Sequence, residues 1–402
     1  MTDEQRGALL ARLKWAQALQ TWAIRSESAP RINAMIQLAQ SEQPVPLRYE
    51  SLDADPWLFN CPNGTLDLRA GELRAHRRED YLTKLCPTLY KKGAACPAWE
   101  RALRAIFANK QHLVEYFRRM CGYCLTGDVS EQILPVFWGT GSNGKSLIFE
   151  LVRSVMGADY AGTGARELIR GRDSSHPTYI ADLFGMRLVT LAETREGGGI
   201  NETLIKELTG GENLKARRMR EDFWSFTPTH KLWLATNHKP AVRGTDHGIW
   251  RRLRLLPFEV KFWDEDKGES GPLELRADKH LKVRLLAEAE GVLAWMVRGC
   301  QEWQAGGMRE PKEVTLATAE YRAEQNIVGR FISDRCEVGP DKTARAGELY
   351  AAYRKWHDTT GEDGKPIGQR KFGEGMSELG YQRRTSNGIV YDGLALRQDK
   401  DG

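Results

Sequence analysis

Residues 139–146 read Gly139-Thr140-Gly141-Ser142-Asn143-Gly144-Lys145-Ser146, between the apolar run Leu134-Pro135-Val136-Phe137-Trp138 and the stretch Leu147-Ile148-Phe149-Glu150-Leu151-Val152. The first flank predicts a buried strand and the second a helix, so the eight residues between them form a complete G-x-x-x-x-G-K-S phosphate loop. The spacing has a mechanical reason. Glycines let the backbone curl until successive N–H groups face phosphate oxygens, and the helix N-terminus adds the positive end of a dipole. Lys145 then reaches the β/γ oxygens, and the Ser146 hydroxyl can hold Mg²⁺. The pattern implies a nucleoside triphosphate, with ATP and Mg²⁺ as the expected ligands.

Composition bounds what surrounds this loop. At 402 residues the chain exceeds one ordinary domain. Apolar residues at 41% and charged residues at 28% describe a globular protein, not a disordered or fibrous one. No stretch approaches the ~18 uninterrupted apolar residues of a membrane span, and residues 1–25 carry charges throughout, so a cytoplasmic protein with no membrane partner is expected. A net charge of +5 permits a nucleic-acid partner without requiring one. Seven cysteines in such a chain point to reduced thiols. Cys121 and Cys124 have the spacing of half a zinc site, but no second pair stands at a suitable distance, and burial in the helix Leu113–Leu125 is expected instead.

Working outward, residues 4–25 carry leucines and alanines near helical spacing, and a second helix is expected from Ser28-Ala-Pro30 to the prolines at 44 and 46. Short runs around Asn63-Gly64 and Ala70-Gly71 predict a small antiparallel hairpin or meander. Helices follow at about 97–108 and 110–125. From 131 to about 260 apolar runs alternate with helical stretches, the pattern of an α/β core. Residues 264–271 read as a charged flexible loop, and helices fit 273–304. Segments at 326–335, 346–358 and 368–379, followed by short runs around Arg383-Arg384 and Ile389-Val-Tyr391, predict three helices and a terminal turn, a winged-helix arrangement.

The loop has companions that carry chemistry. Arg187-Leu-Val-Thr-Leu-Ala192 predicts a buried strand ending at Glu193, where a carboxylate can orient water or hold the magnesium shell. Thr194 follows where a second acid could sit, and Glu196 is the nearest alternative. Lys231-Leu-Trp-Leu-Ala-Thr236 predicts another strand, ending at Asn237, whose amide can bond the γ-phosphate or the attacking water. Arg251 and Arg252 precede a further apolar run; in a ring ATPase they would project into the neighbouring subunit's nucleotide. Between the acid and the amide, Gly210-Gly211 leads into Lys215, Arg217, Arg218 and Arg220, interleaved with Phe223-Trp224. Cations neutralise a nucleic-acid backbone and aromatics stack on bases, so this predicts a DNA-gripping hairpin. In the terminal unit, Arg370, Lys371, Arg383 and Arg384 are the candidates for duplex contacts.

This ordered set resembles superfamily 3 helicases, and in wording the primase-helicases of phages, plasmids and poxviruses. Carrying the resemblance are Asn63-Gly-Thr-Leu-Asp-Leu68, Gly139–Ser146, Ile205-Lys-Glu-Leu-Thr-Gly-Gly211, Thr236-Asn-His-Lys-Pro240 and Ile249-Trp-Arg-Arg252, across about residues 50–260. It implies a multi-domain α/β protein with an AAA+-like P-loop ATPase core over 131–262. N-terminal helices (1–50) and an accessory α+β domain (51–130) would precede the core. A helical extension (263–310) and a winged-helix DNA-binding domain (311–402) would follow it. The implied activity is an ATP-dependent replicative DNA helicase of a phage or mobile element, in the cytoplasm of a bacterial host cell. A hexameric ring would encircle single-stranded or forked DNA and translocate 3′ to 5′. By position Lys145 and Ser146 take triphosphate and magnesium, Glu193 is the Walker B acid, Asn237 the sensor, and Arg252 the finger with Arg251 beside it. Lys215–Arg220 would be the DNA hairpin. Many members have two adjacent acids where this chain has Glu193-Thr194, which leaves Glu193 with both roles or Glu196 sharing them. Full-length relatives often carry a primase module; residues 1–50 hold no acidic triad or zinc ribbon, so the chain is not expected to make primers itself, and a separate primase or other replication proteins are candidate partners. The alternative is an origin-binding initiation ATPase that uses nucleotide as a switch and reads duplex through the winged helix.

Overall fold

The computed structural model describes residues 2–43, 45–170, 177–193, 199–242, 247–360, 366–385 and 388–397. It divides into two compact units at Ala54/Asp55. In the first, α1 (Asp3–Ser26) starts from a capping box in which Thr2 and Gln5 satisfy each other's backbone N–H groups, with Asp3 and Glu4 at the positive end of the helix. Pro30 at the start of α2 (Ala29–Ala39) supplies the fixed φ of a first turn. Neither helix has a buried residue, and Leu9, Leu13, Trp15, Trp22, Met35 and Leu38 are exposed.

The second unit begins with the antiparallel meander β1 (Leu58–Cys61), β2 (Gly64–Asp67) and β3 (Glu72–Arg74). Cys61 faces Gly64 across a two-residue turn. Gly64 has φ +151°, and a Cβ there would lie 2.5 Å from the Arg74 carbonyl oxygen, so the turn and the third strand both require glycine. Next come α3 (Pro97–Ile106) and α4 (Gln111–Leu125). The Glu288 carboxylate accepts from the N–H groups of Ala98 and Trp99, 3.0 Å each, closing the first turn of α3 with a negative charge.

The central sheet comprises β4 (Leu134–Trp138), β5 (Ala161–Thr163), β6 (Leu188–Glu193), β9 (Lys231–Thr236) and β10 (Leu253–Pro257). Their order is β10-β4-β9-β6-β5, and every pairing is parallel. Covered on both faces, these strands read as continuous apolar runs. Pro135 is tolerated in a central strand because the ladder from β4 to β9 begins only at Val136. The connections hold α5 (Lys145–Met156), α6 (Glu167–Arg170), α7 (Pro177–Ala181), α8 (Glu202–Leu208), the hairpin β7 (Leu214–Ala216)–β8 (Trp224–Phe226), and α9 (His247–Trp250). Two buried cations begin the strands on the far side from the loop. Arg187 donates to the carbonyls of Leu125 and Leu58, and Lys231 to those of Thr126, Asp128 and Thr229. They neutralise the carbonyl end of α4 and dock it on the sheet. Burial pushes the Lys231 ammonium down to about 7.

Beyond the sheet, α10 (Leu281–Ala287) and α11 (Ala289–Gly306) return to the start of the unit. α11 crosses α4 at glycines: a Cβ on Gly122 would lie 2.0 Å from the Cys300 nitrogen, and one on Gly299 2.1 Å from the Arg118 carbonyl oxygen. Residues from the meander, α3, α4, α5 and α11 fill one core. The expected accessory domain 51–130 and extension 263–310 are therefore one body with the sheet, because neither buries an apolar face alone. Cys121 and Cys124 lie wholly inside this core.

α12 (Lys312–Gln325) packs on β10, and its Tyr321 belongs to the apolar cluster of the sheet, so the last body starts after the expected residue 311. A third cluster holds α13 (Ile327–Arg335), β11 (Cys336–Arg345), α14 (Ala346–Thr360), α15 (Gln369–Glu378), β12 (Arg383–Thr385) and β13 (Ile389–Leu396). Their sheet order is β11-β13-β12, antiparallel throughout. β11, which the sequence pattern does not reveal, bulges between Val338 and Thr343. No described helix is long and apolar enough to cross a membrane.

Candidate functional site

The glycine-rich loop leaves the C-terminal end of β4 and enters α5 at Lys145. Gly141, Ser142 and Gly144 have φ of +101°, +48° and +86°, so the chain curls through left-handed backbone just before the helix. Gly144 offers α5 no side-chain cap, and the first-turn N–H groups stay available to an outside acceptor. Such a curl over an open helix N-terminus is a receptor for anionic oxygens.

Lys145 is buried in the middle of it, 6% exposed. Its Nζ donates to the carbonyl oxygen of Gly139 at 2.6 Å, Oδ1 of Asn143 at 3.1 Å and Oδ1 of Asn237 at 3.3 Å. All three partners are neutral. Burial holds its pKa at about 8, below the usual 10.5. A desolvated cation bonded to neutral oxygens is poised for an anion. Ser146, next in the helix, is exposed and free to meet a cation.

The sheet order explains how Asn237 joins this group. β9 lies directly beside β4, so its polar end falls against the loop, and the Gly139 N–H donates to the Thr236 carbonyl oxygen at 3.3 Å. Glu193 ends β6 one strand further out, in register with Thr236. Thr194 and Glu196 lie outside the described residues. The loop, Asn237 and the backbone of Glu193 thus share the C-terminal edge of the sheet, the edge where open α/β sheets take ligands.

The paired arginines differ from expectation. Arg252 is buried, donating to Thr209 Oγ1 at 3.0 Å and to the Gly248 carbonyl oxygen at 2.7 Å. It holds α9 and the end of α8 together and does not project from the surface. Arg251 is the exposed member of the pair, its guanidinium donating to Gln132 Oε1 at 3.2 Å. It lies in a depression of about 300 Å³ with Arg254 and Arg322, the last contributed by α12 and not singled out from sequence.

The basic run between the acid and the amide does form a hairpin, with Leu214 opposite Phe226 and Ala216 opposite Trp224. Leu214, Ala216 and Phe226 anchor it, while Lys215, Arg218, Met219, Arg220 and Phe223 are exposed. Lys215 and Arg217 stand 5.0 Å and 4.9 Å from the centre of the Phe223 ring, and Arg218 stands 6.0 Å from that of Trp224. The result is a protruding tip of cations braced on aromatic faces. In the terminal body Arg370, Lys371, Arg383 and Arg384 are all exposed; Arg370 pairs with Glu374 and Arg384 with Asp392.

Residues 2–108 match the family model described as D5 N terminal like, and residues 137–252 match a family of unknown function, DUF5906. "Putative helicase L207/L206" of Acanthamoeba polyphaga mimivirus is 30% identical over 76% of this chain and 33% of its own length. "Putative primase C962R" of African swine fever virus (strain Badajoz 1971 Vero-adapted) is 24% identical over 77% of this chain and 34% of its own. "Putative helicase 022R" of Frog virus 3 is 25% identical over 63% and 27%. The chain spans about one third of the length of these curated relatives. A solved structure, the apo C-terminal region of NrS-1, aligns with a TM-score of 0.46 at 11% identity, covering 78% of this chain and 77% of that one. On its D5-type N-terminal segment and its viral relatives, the chain belongs to the primase-helicase family.

Proposed function

We propose that this chain is an ATP-driven DNA helicase of a replication system. The triphosphate lies along Gly139–Ser146, and Lys145 exchanges its neutral partners for the β- and γ-oxygens. Ser146 and Glu193 would hold Mg²⁺, which would supply Lewis-acid polarisation of the phosphoryl oxygens. Glu193 also orients the attacking water, and Asn237, already bonded to Lys145, registers the loss of the γ-phosphate. The observation that carries this reading is the buried Lys145 ammonium, bonded to three neutral oxygens at an uncapped helix start.

The strand order β10-β4-β9-β6-β5 supports an AAA+-like P-loop core, since the sensor strand separates the loop strand from the acid strand. The helicase and primase names of the viral relatives support work on DNA. The β7–β8 tip is the element that grips the strand, and Arg251 is the finger offered to a neighbouring protomer of a hexameric ring moving 3′ to 5′. The order α13-β11-α14-α15-β12-β13 with exposed Arg370, Lys371 and Arg383 supports a terminal winged helix, and favours duplex binding at an origin as a second use of the same chain. Strand displacement on a forked duplex with ATP and Mg²⁺ tests the first reading. Failure to displace either strand, with a defined footprint on duplex DNA, would leave only the second.

A further inference from the structure

The turn that follows β9 carries Asn237, and much of what holds that turn lies outside the sheet. Thr236 Oγ1 donates to the His238 carbonyl oxygen and accepts from the His238 N–H at 3.2 Å, which bends the chain locally and leaves Asn237 exposed beside Lys145. The rest of the turn is fastened to α12. The Tyr321 hydroxyl donates to the Pro240 carbonyl oxygen, and the Val242 N–H donates to Gln325 Oε1 at 3.0 Å. Lys239 Nζ donates to both carboxylate oxygens of Glu324, at 2.8 Å each. The same ammonium stands 4.7 Å from the centre of the Trp138 ring. Trp138 ends β4 and precedes Gly139, whose carbonyl oxygen holds Lys145. One side chain therefore joins the end of β4, the Asn237 turn and α12.

These ties differ in what they do. Tyr321 is buried, and together with Thr318 Oγ1, which accepts from the Leu255 N–H at 2.9 Å, it secures α12 to the sheet. The Lys239–Glu324 pair reaches the surface, the Glu324 side chain being 52% exposed, and such a pair adds little to stability. It stands two residues from Asn237, and a cation held between a carboxylate and an aromatic face is fixed in direction as well as distance. We propose that Lys239 is a positioning residue: with Glu324 and the Trp138 ring it holds the turn so that the Asn237 amide meets Lys145 and the γ-phosphate. It acts through Asn237 and not on the phosphates. The proposal rests on the reading of Asn237 given above and adds that a helix outside the sheet sets that amide. An amide displaced by about 1 Å loses contacts made in the transition state, so the cost falls on kcat more than on nucleotide binding.

Steady-state ATP hydrolysis over a range of Mg-ATP, with single-stranded DNA present, tests it. Lys239→Met, which keeps the carbon stem and loses the charge, should lower kcat by about tenfold and leave KM within about threefold. Glu324→Gln should lower kcat by about threefold at an unchanged melting midpoint. Lys239→Arg, which still meets a carboxylate and a ring, should recover kcat to within about threefold of wild type. On an Asn237→Ala background, Lys239→Met should slow turnover by less than about twofold further, because it acts through that amide. Wild-type kcat in Lys239→Met would overturn the proposal, as would a loss confined to KM or a full tenfold loss repeated without Asn237. Should Asn237→Ala turn over too slowly to measure, the double variant Lys239→Met/Glu324→Gln decides: a rate no lower than that of Lys239→Met supports the pair, and multiplied losses overturn it. Should Lys239→Met fail to fold, Glu324→Gln carries the comparison, and its wild-type kcat would overturn the proposal. Wild-type protein without ATP turnover, or Asn237→Ala at the wild-type rate, would instead remove the sensor reading, and the role of Lys239 with it.

Discussion

Raising the pH from 7 to 9 should weaken Mg-ATP binding by about tenfold, and the reason lies in one side chain. Lys145 titrates at about 8 in the free protein because it is buried among neutral oxygens. Two or three phosphate charges beside it would return it above 10, so the complex holds a proton that the free protein loses as pH climbs. The free ammonium is about ten-elevenths charged at pH 7 and about one-eleventh at pH 9, and the ratio is the loss of affinity. Phosphate itself contributes little here, its second ionisation being complete above about pH 7. A lysine at its ordinary 10.5 would change affinity by only a few per cent over the same range. Isothermal titration in two buffers of different ionisation heat would also detect proton uptake at pH 8.5. Lys145→Arg, charged throughout, should give a flat profile. A wild-type affinity constant within twofold from pH 7 to 9, without proton uptake, would refute the reasoning. In stability the same shift has the opposite sense: the unfolded chain holds the proton longer, so this group costs most below pH 8 and the cost fades between 8 and 10.5.

Arg252→Ala should destabilise the fold by about 2–4 kcal/mol by leaving buried polar partners at Thr209 and Gly248, whereas exposed Arg251→Ala should stay within about 0.5 kcal/mol and lose ATP turnover; denaturant melts and steady-state assays separate the two, and the reverse pattern would restore Arg252 as the finger. Gly122→Ala should cost about 3 kcal/mol, because its Cβ would meet the Cys300 backbone at 2.0 Å; a denaturation midpoint like that of wild type would show that α4 and α11 do not cross there. Replacing Arg217 and Arg218 by alanine should lower the salt dependence of single-strand binding by about 0.7 for each phosphate no longer neutralised, and an unchanged slope would move the DNA grip away from the β7–β8 tip.

What is legible in the chain is whatever depends on neighbours in sequence. The strand, loop and helix around Gly139–Ser146 follow from an apolar run, glycine conformations and an apolar helix face within about twenty residues. The basic hairpin follows from a Gly-Gly turn and interleaved aromatics. Which arginine of 251–252 faces outward does not follow, because a single turn at the end of α9, closed by the Arg252 N–H on the Ile249 carbonyl oxygen, decides it. The shared core of the meander, α4 and α11 depends on a glycine crossing between residues 122 and 299, far apart in the chain and invisible to local periodicity. β11 is hidden by its own bulge, whose Gly339, Pro340 and Asp341 read as a turn. Residues 264–271 read as a loop because their charges outnumber their aromatics, although Phe262 just before them donates its N–H to the Ser142 carbonyl oxygen of the glycine-rich loop.

The central claim is that Lys145 and its loop cleave a nucleoside triphosphate in a cycle coupled to the strand held by the β7–β8 tip. Steady-state ATP hydrolysis by wild type and Lys145→Ala, each with and without single-stranded DNA, tests it most directly. The account predicts turnover stimulated by DNA in wild type and abolished in the variant under both conditions. Equal hydrolysis by the two proteins, or a wild-type rate indifferent to DNA, would contradict it.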